Sequence, residues 1–255
     1  MKKLWPTITR IALLLFYFFP AINGSILEAE AGGRALLEKS DAAFFLEEAR
    51  FLFRMEDFEQ GEYKRYYLFD GYVKGVDRYL LVGKEPAVVR GTSHLRVEDT
   101  IYYYMKRIDR MRQVSARVAF YNSLLSQEDV LSTKLAVFYD LTDWERTKVD
   151  GRECYLLRLA AKTQAVAYYR IDSYIDVDSY LPVKREYYSF SGDKIKEMIF
   201  GEIKFGQDGR PDLIRFTMYD TLRKGYYTKV TISDIEYISL PDTYFHRSYL
   251  KAITP

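Results

Sequence analysis

Apolar residues recur at every second position along most of the chain. Ala49, Phe51, Phe53 and Met55 alternate with Arg50, Arg54 and Glu56. Ile214, Phe216 and Met218 alternate with Arg215 and Thr217, and Val230 and Ile232 with Lys229, Thr231 and Ser233. A period of two marks a strand with one buried face. Phe51, Phe53, Met55, Ile214, Phe216 and Met218 are therefore expected to face one shared interior. Turn residues punctuate the pattern at Gln60-Gly61, Gly75-Val76-Asp77, Asp150-Gly151, Ser191-Gly192-Asp193 and Gln207-Asp208-Gly209. Strands are predicted between them over 63–73, 78–82, 88–90, 92–97, 101–105 and 109–114. Further strands follow at 144–149, 154–159, 166–175, 182–190, 195–205, 213–219 and 226–238, with a bulge at Asp70-Gly71. Allowing for mergers, the pattern predicts a mainly β protein of about ten or eleven strands in one curled antiparallel sheet or barrel.

Two stretches leave the alternation. Residues 33–40 read as a short amphipathic helix, with Ala35, Leu36 and Leu37 followed by charge. Residues 115–135 form the one substantial interruption. There Ser126 and Asp129 fit a capping box, with Asp in place of the usual Glu or Gln, so a short helix should follow. This segment is expected to cover an edge or opening of the sheet. Its Phe120, Tyr121, Leu124 and Leu125 are either ordinary core or the underside of a lid.

The beginning of the chain has a different character. Lys2, Lys3 and Arg10 precede the apolar run Ile11 to Phe19, Pro20 ends it, and Gly24-Ser25 offers small residues for cleavage. The run falls short of the ~20 apolar residues a bilayer needs, so it reads as a secretory signal over residues 1–24. Residues 25–255 then form one domain, exported and soluble, with an uncleaved anchor as the alternative. Losing residues 1–24 takes the formal net charge from +2 to −1. A near-neutral balance argues against nucleic acid as a partner. Cys154, the only cysteine, lies in an apolar run and cannot form an intramolecular disulfide.

Residues suited to catalysis are sparse, and none is assigned a catalytic role. His94 and His246 are far apart, and GxSxG, HExxH and P-loop motifs are absent from the sequence. Two histidines and one cysteine give no zinc spacing, so neither metal nor cofactor is expected. Asp176 and Asp178 share a strand face by alternation, but the Ser179 to Pro182 turn makes a solvated strand end the plainer reading. Tyr102 and Tyr104 share one face of a strand and Tyr103 the other. They form either a cross-strand aromatic ladder or a cavity wall with polar tips. Arg107, Arg110 and Arg112 are either a solvated basic face or a contact for phosphate or a partner's acids. All but Tyr17 of the 24 tyrosines lie beyond residue 24, an excess that suits an amphipathic lining.

A family resemblance runs through this pattern. Residues 71–82 (GYVKGVDRYLLV), 91–105 (GTSHLRVEDTIYYYM) and 107–130 (RIDRMRQVSARVAFYNSLLSQEDV) resemble the LolA-like family of outer-membrane lipoprotein-sorting proteins. The likeness continues at 149–159 (VDGRECYLLRL), 175–198 (IDVDSYLPVKREYYSFSGDKIKEM) and 240–250 (LPDTYFHRSYL), covering roughly residues 34–252. Two local departures stand out: Lys106 occupies the place of a family proline, and Asn122 that of a family glycine. Ser123, Ser126, Glu128 and Asp129 are kept, while Leu124 replaces an aspartate. The resemblance implies a half-closed, unclosed β-barrel lidded by short helices, with a cavity for acyl chains of lipoproteins or other lipids. It also implies a periplasmic location, with an inner-membrane donor complex and an outer-membrane acceptor as partners. Phe51, Phe53, Met55, Tyr102, Tyr104, Phe120, Leu124, Leu125, Ile214, Phe216 and Met218 are then the expected cavity wall or lid. A carrier moving acyl chains toward the outer membrane is the leading expectation. A non-enzymatic sensor or scaffold on the same fold, binding a protein without lipid, is the alternative.

Overall fold

The computed structural model describes residues 20–131 and 134–255. The apolar run of the expected signal lies outside the described residues. The first element is helix α1 (Pro20–Ala43), which contains the expected helix at 33–40 and extends it at both ends. Gly33 is required where α1 meets the sheet, because a Cβ there would sit 2.3 Å from Leu141 Cδ2 and 2.4 Å from Trp144 Cδ1.

Thirteen strands follow, all in one sheet. The first six are β1 (Glu48–Glu59), β2 (Glu62–Lys74), β3 (Arg78–Glu85), β4 (Thr92–Val97), β5 (Thr100–Met105) and β6 (Arg110–Val114). Two short helices, α2 (Gln127–Val130) and α3 (Leu135–Phe138), interrupt the run. The rest are β7 (Tyr139–Val149), β8 (Arg152–Ala161), β9 (Arg170–Asp176), β10 (Pro182–Tyr188), β11 (Lys194–Phe205), β12 (Pro211–Asp220) and β13 (Tyr227–Glu236). Every pairing is antiparallel, in the order β6-β5-β4-β3-β2-β1-β13-β12-β11-β10-β9-β8-β7. The sheet is thus two meanders fused where β1 pairs with β13, and β6 and β7 remain unjoined edges rather than closing a barrel.

The turns follow from their sequences. Gln60-Gly61 and Asp150-Gly151 both take positive φ at both positions (54° and 84°, 48° and 83°), which suits the twist of two-residue hairpins. Residues 88–90 are not a strand. They belong to a turn in which the Val89 and Arg90 N–H groups donate to the Pro86 carbonyl, bringing the chain back over β3. The bulge expected at Asp70-Gly71 is also absent: the β1–β2 register runs without a shift from Leu52↔Asp70 to Phe51↔Gly71. Gly71 is there for another reason, since a Cβ would lie 2.2 Å from the Phe51 ring.

The core has two parts. On the inner face, Phe51, Phe53, Met55, Ile214, Phe216 and Met218 are all buried in one cluster. Phe53 pairs with Ile232 and Ile232 with Ile214, while Met55 pairs with Val230 and Val230 with Phe216. On the outer face, the C-terminal segment, ending in α4 (Leu250–Ile253), places Leu240, Phe245 and Leu250 over Leu80, Val82, Leu95 and Tyr104. Among the described residues, no helix is long and apolar enough to cross a membrane.

Candidate functional site

Residues 115–138 carry the chain from edge strand β6 to edge strand β7, and in doing so cross the inner face of the sheet. The capping box forms: the Asp129 N–H donates to Ser126 Oγ, and the Ser126 N–H donates to Asp129 Oδ2 at 2.7 Å. Tyr121 and Asn122 both take left-handed conformations, with φ of 50° and 56°. Asparagine is among the few residues that adopt this region readily, so Asn122 suits this turn.

The turn drives Phe120 into the core. Its ring lies 6.4 Å from Phe53, 5.2 Å from Phe69 and 4.7 Å from the His94 ring, and it is fully buried, as are Leu125 and Leu131. Leu124 is half-buried, with its N–H donating to Thr228 Oγ1 at 3.3 Å.

Polar ties hold the segment to both meanders. On one side, His94 Nδ1 lies 2.9 Å from the Gln127 amide, and the Tyr121 hydroxyl lies 2.6 Å from Thr92 Oγ1. On the other, the Tyr139 hydroxyl donates to Glu128 Oε1 at 2.8 Å and the Tyr168 hydroxyl to Asp129 Oδ2 at 2.6 Å. Asp41, at the end of α1, accepts from the Leu135 and Ala136 N–H groups at the start of α3. Burial drives the charged forms of these groups out of favour. It raises the Asp41 and Glu128 carboxyls above their ordinary values and lowers His94 to about 3, so His94 is neutral at physiological pH.

Beside this cover lies an apolar cleft of about 70 Å³, partly open to solvent. Its walls are Phe44 and Leu46 after α1, Val130 of α2, and Phe53, Met198, Phe200, Ile214, Phe216 and Ile232 of the sheet. Two charged residues, Asp129 and Arg185, complete it. Of the expected wall residues, Phe53, Ile214 and Phe216 line the cleft. Phe51, Met55 and Met218 lie in the same core cluster but not on the cleft wall. Phe44, Leu46, Met198, Phe200, Ile232 and Arg185 were not anticipated. Met198 and Phe200 alternate in β11 and could have been found by the same period-two reading, whereas Arg185 carried no such signal.

Tyr102 and Tyr104 correct the sequence reading. They pack with the outer-face cluster beneath the C-terminal segment, and the Tyr104 hydroxyl donates to Asp109. Tyr103 has the inward position, with its ring 4.6 Å from His94. The alternation is as expected, but both faces of β5 are covered, so burial could not tell one face from the other. Cys154 is fully buried, and burial raises its thiol. Asp176 accepts from the Asp178 and Ser179 N–H groups in a turn. Arg107, Arg110 and Arg112 are exposed, and so is His246, whose Nδ1 lies 2.7 Å from Ser248 Oγ. Among the described residues, no group of three His, Cys, Asp or Glu side chains is placed to hold a metal.

Similarity to known proteins agrees with this architecture. The LolA superfamily protein of Nitrosomonas europaea superposes with a TM-score of 0.76 at 21% identity, over 85% of this chain and 98% of that one. A Vibrio parahaemolyticus domain assigned to outer membrane lipoprotein sorting gives 0.77 at 20%, over 87% and 99%. A DUF1329 family protein of Desulfovibrio piger gives 0.75 at 24%, over 87% and 99%. At these identities the likeness establishes the fold. No curated protein matches the chain in sequence. A family model described as "Uncharacterized protein" matches residues 75–252, more than two-thirds of the length. The chain therefore belongs to that family of uncharacterized proteins, and its fold is that of the LolA superfamily.

Proposed function

We propose that the protein is a periplasmic carrier, exported by cleavage near Gly24, that takes acyl chains of lipoproteins or related lipids against the inner face of its sheet. The observation that carries this reading is the apolar cleft between the 115–138 cover and the sheet, in a fold shared with a domain assigned to lipoprotein sorting. Each methylene moved from water onto such a wall is worth about 0.8 kcal/mol, so a long acyl chain binds without any polar catalyst. The cleft is too small to swallow such a chain with the cover seated, so residues 115–138 act as a lid that must lift. An inner-membrane donor complex and an outer-membrane acceptor are the partners this role requires.

The test pins the lid. Leu124 and Thr228 face each other across the cover–sheet boundary, so Leu124→Cys with Thr228→Cys, in a Cys154→Ala background, places two thiols there. Oxidation is expected to abolish binding of a fluorescent lipopeptide, and reductant to restore it. Equal binding in both states would remove the lid role. Absence of binding in either state, by a folded protein, would favour the second reading, a scaffold that binds a protein without lipid. One feature speaks for that alternative: Phe120, Leu125 and Leu131 of the cover are fully buried, as in an ordinary packed core.

A further inference from the structure

Arg185 stands out within the cleft. It is the middle of three consecutive charged residues in β10, and alternation sends Lys184 and Glu186 outward while Arg185 points inward. The outward pair is fully engaged. Lys184 and Lys194 both donate to Glu186 at 3.0 Å, and although burial opposes its ionisation, these bonds hold the Glu186 carboxyl down to about 2. Arg185 is less fully engaged. It is 8% exposed, and its Nε and Nη2 are buried without a hydrogen-bond acceptor. The guanidinium lies over the rings of Phe200 at 5.1 Å and Phe44 at 5.8 Å, and the Tyr187 hydroxyl and the Asp41 carboxyl are close enough to feel its charge.

The neighbouring acids accept hydrogen bonds from other groups, and Asp41 feels the Arg185 charge without closing an ion pair. Both Asp41 oxygens accept from the start of α3, and Asp129 Oδ2 accepts from Ser126 and Tyr168. Glu128 accepts from Tyr139 and from the Ala167 N–H. The Tyr187 hydroxyl, on the same face, is directed to Met198 Sδ and also interacts with Arg185, but it leaves the guanidinium Nε and Nη2 without an acceptor. Among the described residues, none of these acids forms an ion pair with Arg185. A second inward cation nearby, Lys196, has a partner in the Tyr168 hydroxyl at 3.1 Å. Buried polar groups are nearly always satisfied, and a buried charge lacking an acceptor is costly to keep. A guanidinium fork at the end of an apolar wall is suited to one thing in particular, a carboxylate bound by two parallel N–H···O bonds.

We infer that Arg185 anchors the carboxylate of a long-chain fatty acid whose alkyl chain lies along the apolar cleft beside Phe53, Phe200 and Phe216. This rests on the acyl-carrier reading and sharpens it, because ester- or amide-linked acyl chains offer no such charge. The apolar wall supplies affinity and the guanidinium fixes which end of the ligand enters.

The experiment compares palmitate, hexadecanol and hexadecyl phosphate as displacers of a neutral fluorescent alkyl probe from the delipidated protein at pH 8. Wild type is expected to bind palmitate at least tenfold more tightly than hexadecanol and more tightly than hexadecyl phosphate. Arg185→Met is expected to abolish the preference for palmitate while still binding hexadecanol, which also shows that the variant is folded. Arg185→Lys should retain part of the preference, since a point charge replaces the fork. Equal affinity of wild type for palmitate and hexadecanol, or an unchanged preference in Arg185→Met, would overturn the anchor while leaving the carrier reading intact. Tighter binding of hexadecyl phosphate would overturn the carboxylate assignment. Failure of wild type to bind any of the chains would overturn both readings.

Discussion

His94 shows how burial at one residue becomes a pH dependence. Its folded value lies near 3, against about 6.5 in an unfolded chain. As pH falls below about 6.5 the unfolded chain takes up a proton that the folded protein refuses, so stability is lost progressively down to about pH 3. Asp41 and Glu128 act in the opposite sense, because burial raises both and protonation then favours the folded state. Comparison with His94→Gln isolates the histidine. Between pH 7 and pH 4.5, wild type should lose about 2–3 kcal/mol more stability than the variant, measured by urea unfolding. Equal losses would mean that His94 protonates freely in the folded protein. Backbone proximity gives a second expectation. A Cβ on Gly83 would lie 2.0 Å from the Val89 carbonyl oxygen, and backbone has no alternative rotamer with which to yield. Gly83→Ala is expected to cost about 1–3 kcal/mol, while Gly201→Ala, whose nearest neighbour is Arg215 O at 3.5 Å, should be close to neutral. Similar thermal shifts for the two would contradict this packing.

At the scale of elements, the cover over residues 115–138 depends on ties from outside itself. Helices α2 and α3 have four residues each, too short to stand alone in water. Asp41 supplies acceptors for two N–H groups at the start of α3. Asp41→Ala should therefore loosen the cover by about 1–2 kcal/mol, seen as faster hydrogen exchange over 127–138 with little change in β1 or β12. Uniform acceleration across the sheet would show that the cover and the sheet open as one unit. Phe120→Ala goes further, since it removes a fully buried ring touching Phe53, Phe69 and His94. It is expected to cost about 3–5 kcal/mol in denaturant unfolding.

For the molecule as a whole, the join between the two meanders is decisive. Met55, Val230 and Phe216 form one row across β1, β13 and β12 on the inner face, and Phe216 lines the cleft. A carboxylate there is set into an apolar wall, with Arg185 the cation lining the same cleft. Phe216→Asp is expected to cost at least about 3 kcal/mol, because it removes the apolar contact of a buried ring and buries a carboxylate. A loss under about 1 kcal/mol would place Phe216 in solvent and break the proposed shared interior. Phe216 links the join to the proposed carrier role, since it packs in this row and also lines the cleft.

Local patterns were legible in the sequence because their causes are local. Alternation put Phe51, Phe53 and Met55 on one face, Gly61 and Gly151 marked their hairpins, and Ser126 with Asp129 announced a capped helix. These follow from side-chain parity, positive φ and hydrogen bonds spanning three residues, none of which needs distant partners. What lay far apart in the chain was decided only in three dimensions. Pairing β1 with β13 joins residues nearly 180 positions apart, and it is this contact that makes one floor from two meanders. Parity separated Tyr103 from Tyr102 and Tyr104, but the C-terminal segment, packing on the outer face, determined which side was which. In the same way, nothing in the sequence sets Arg185 apart from its charged neighbours Lys184 and Glu186. Only the tertiary structure shows that Arg185 is turned into an apolar cleft, because the side of the sheet a residue faces depends on what covers each side.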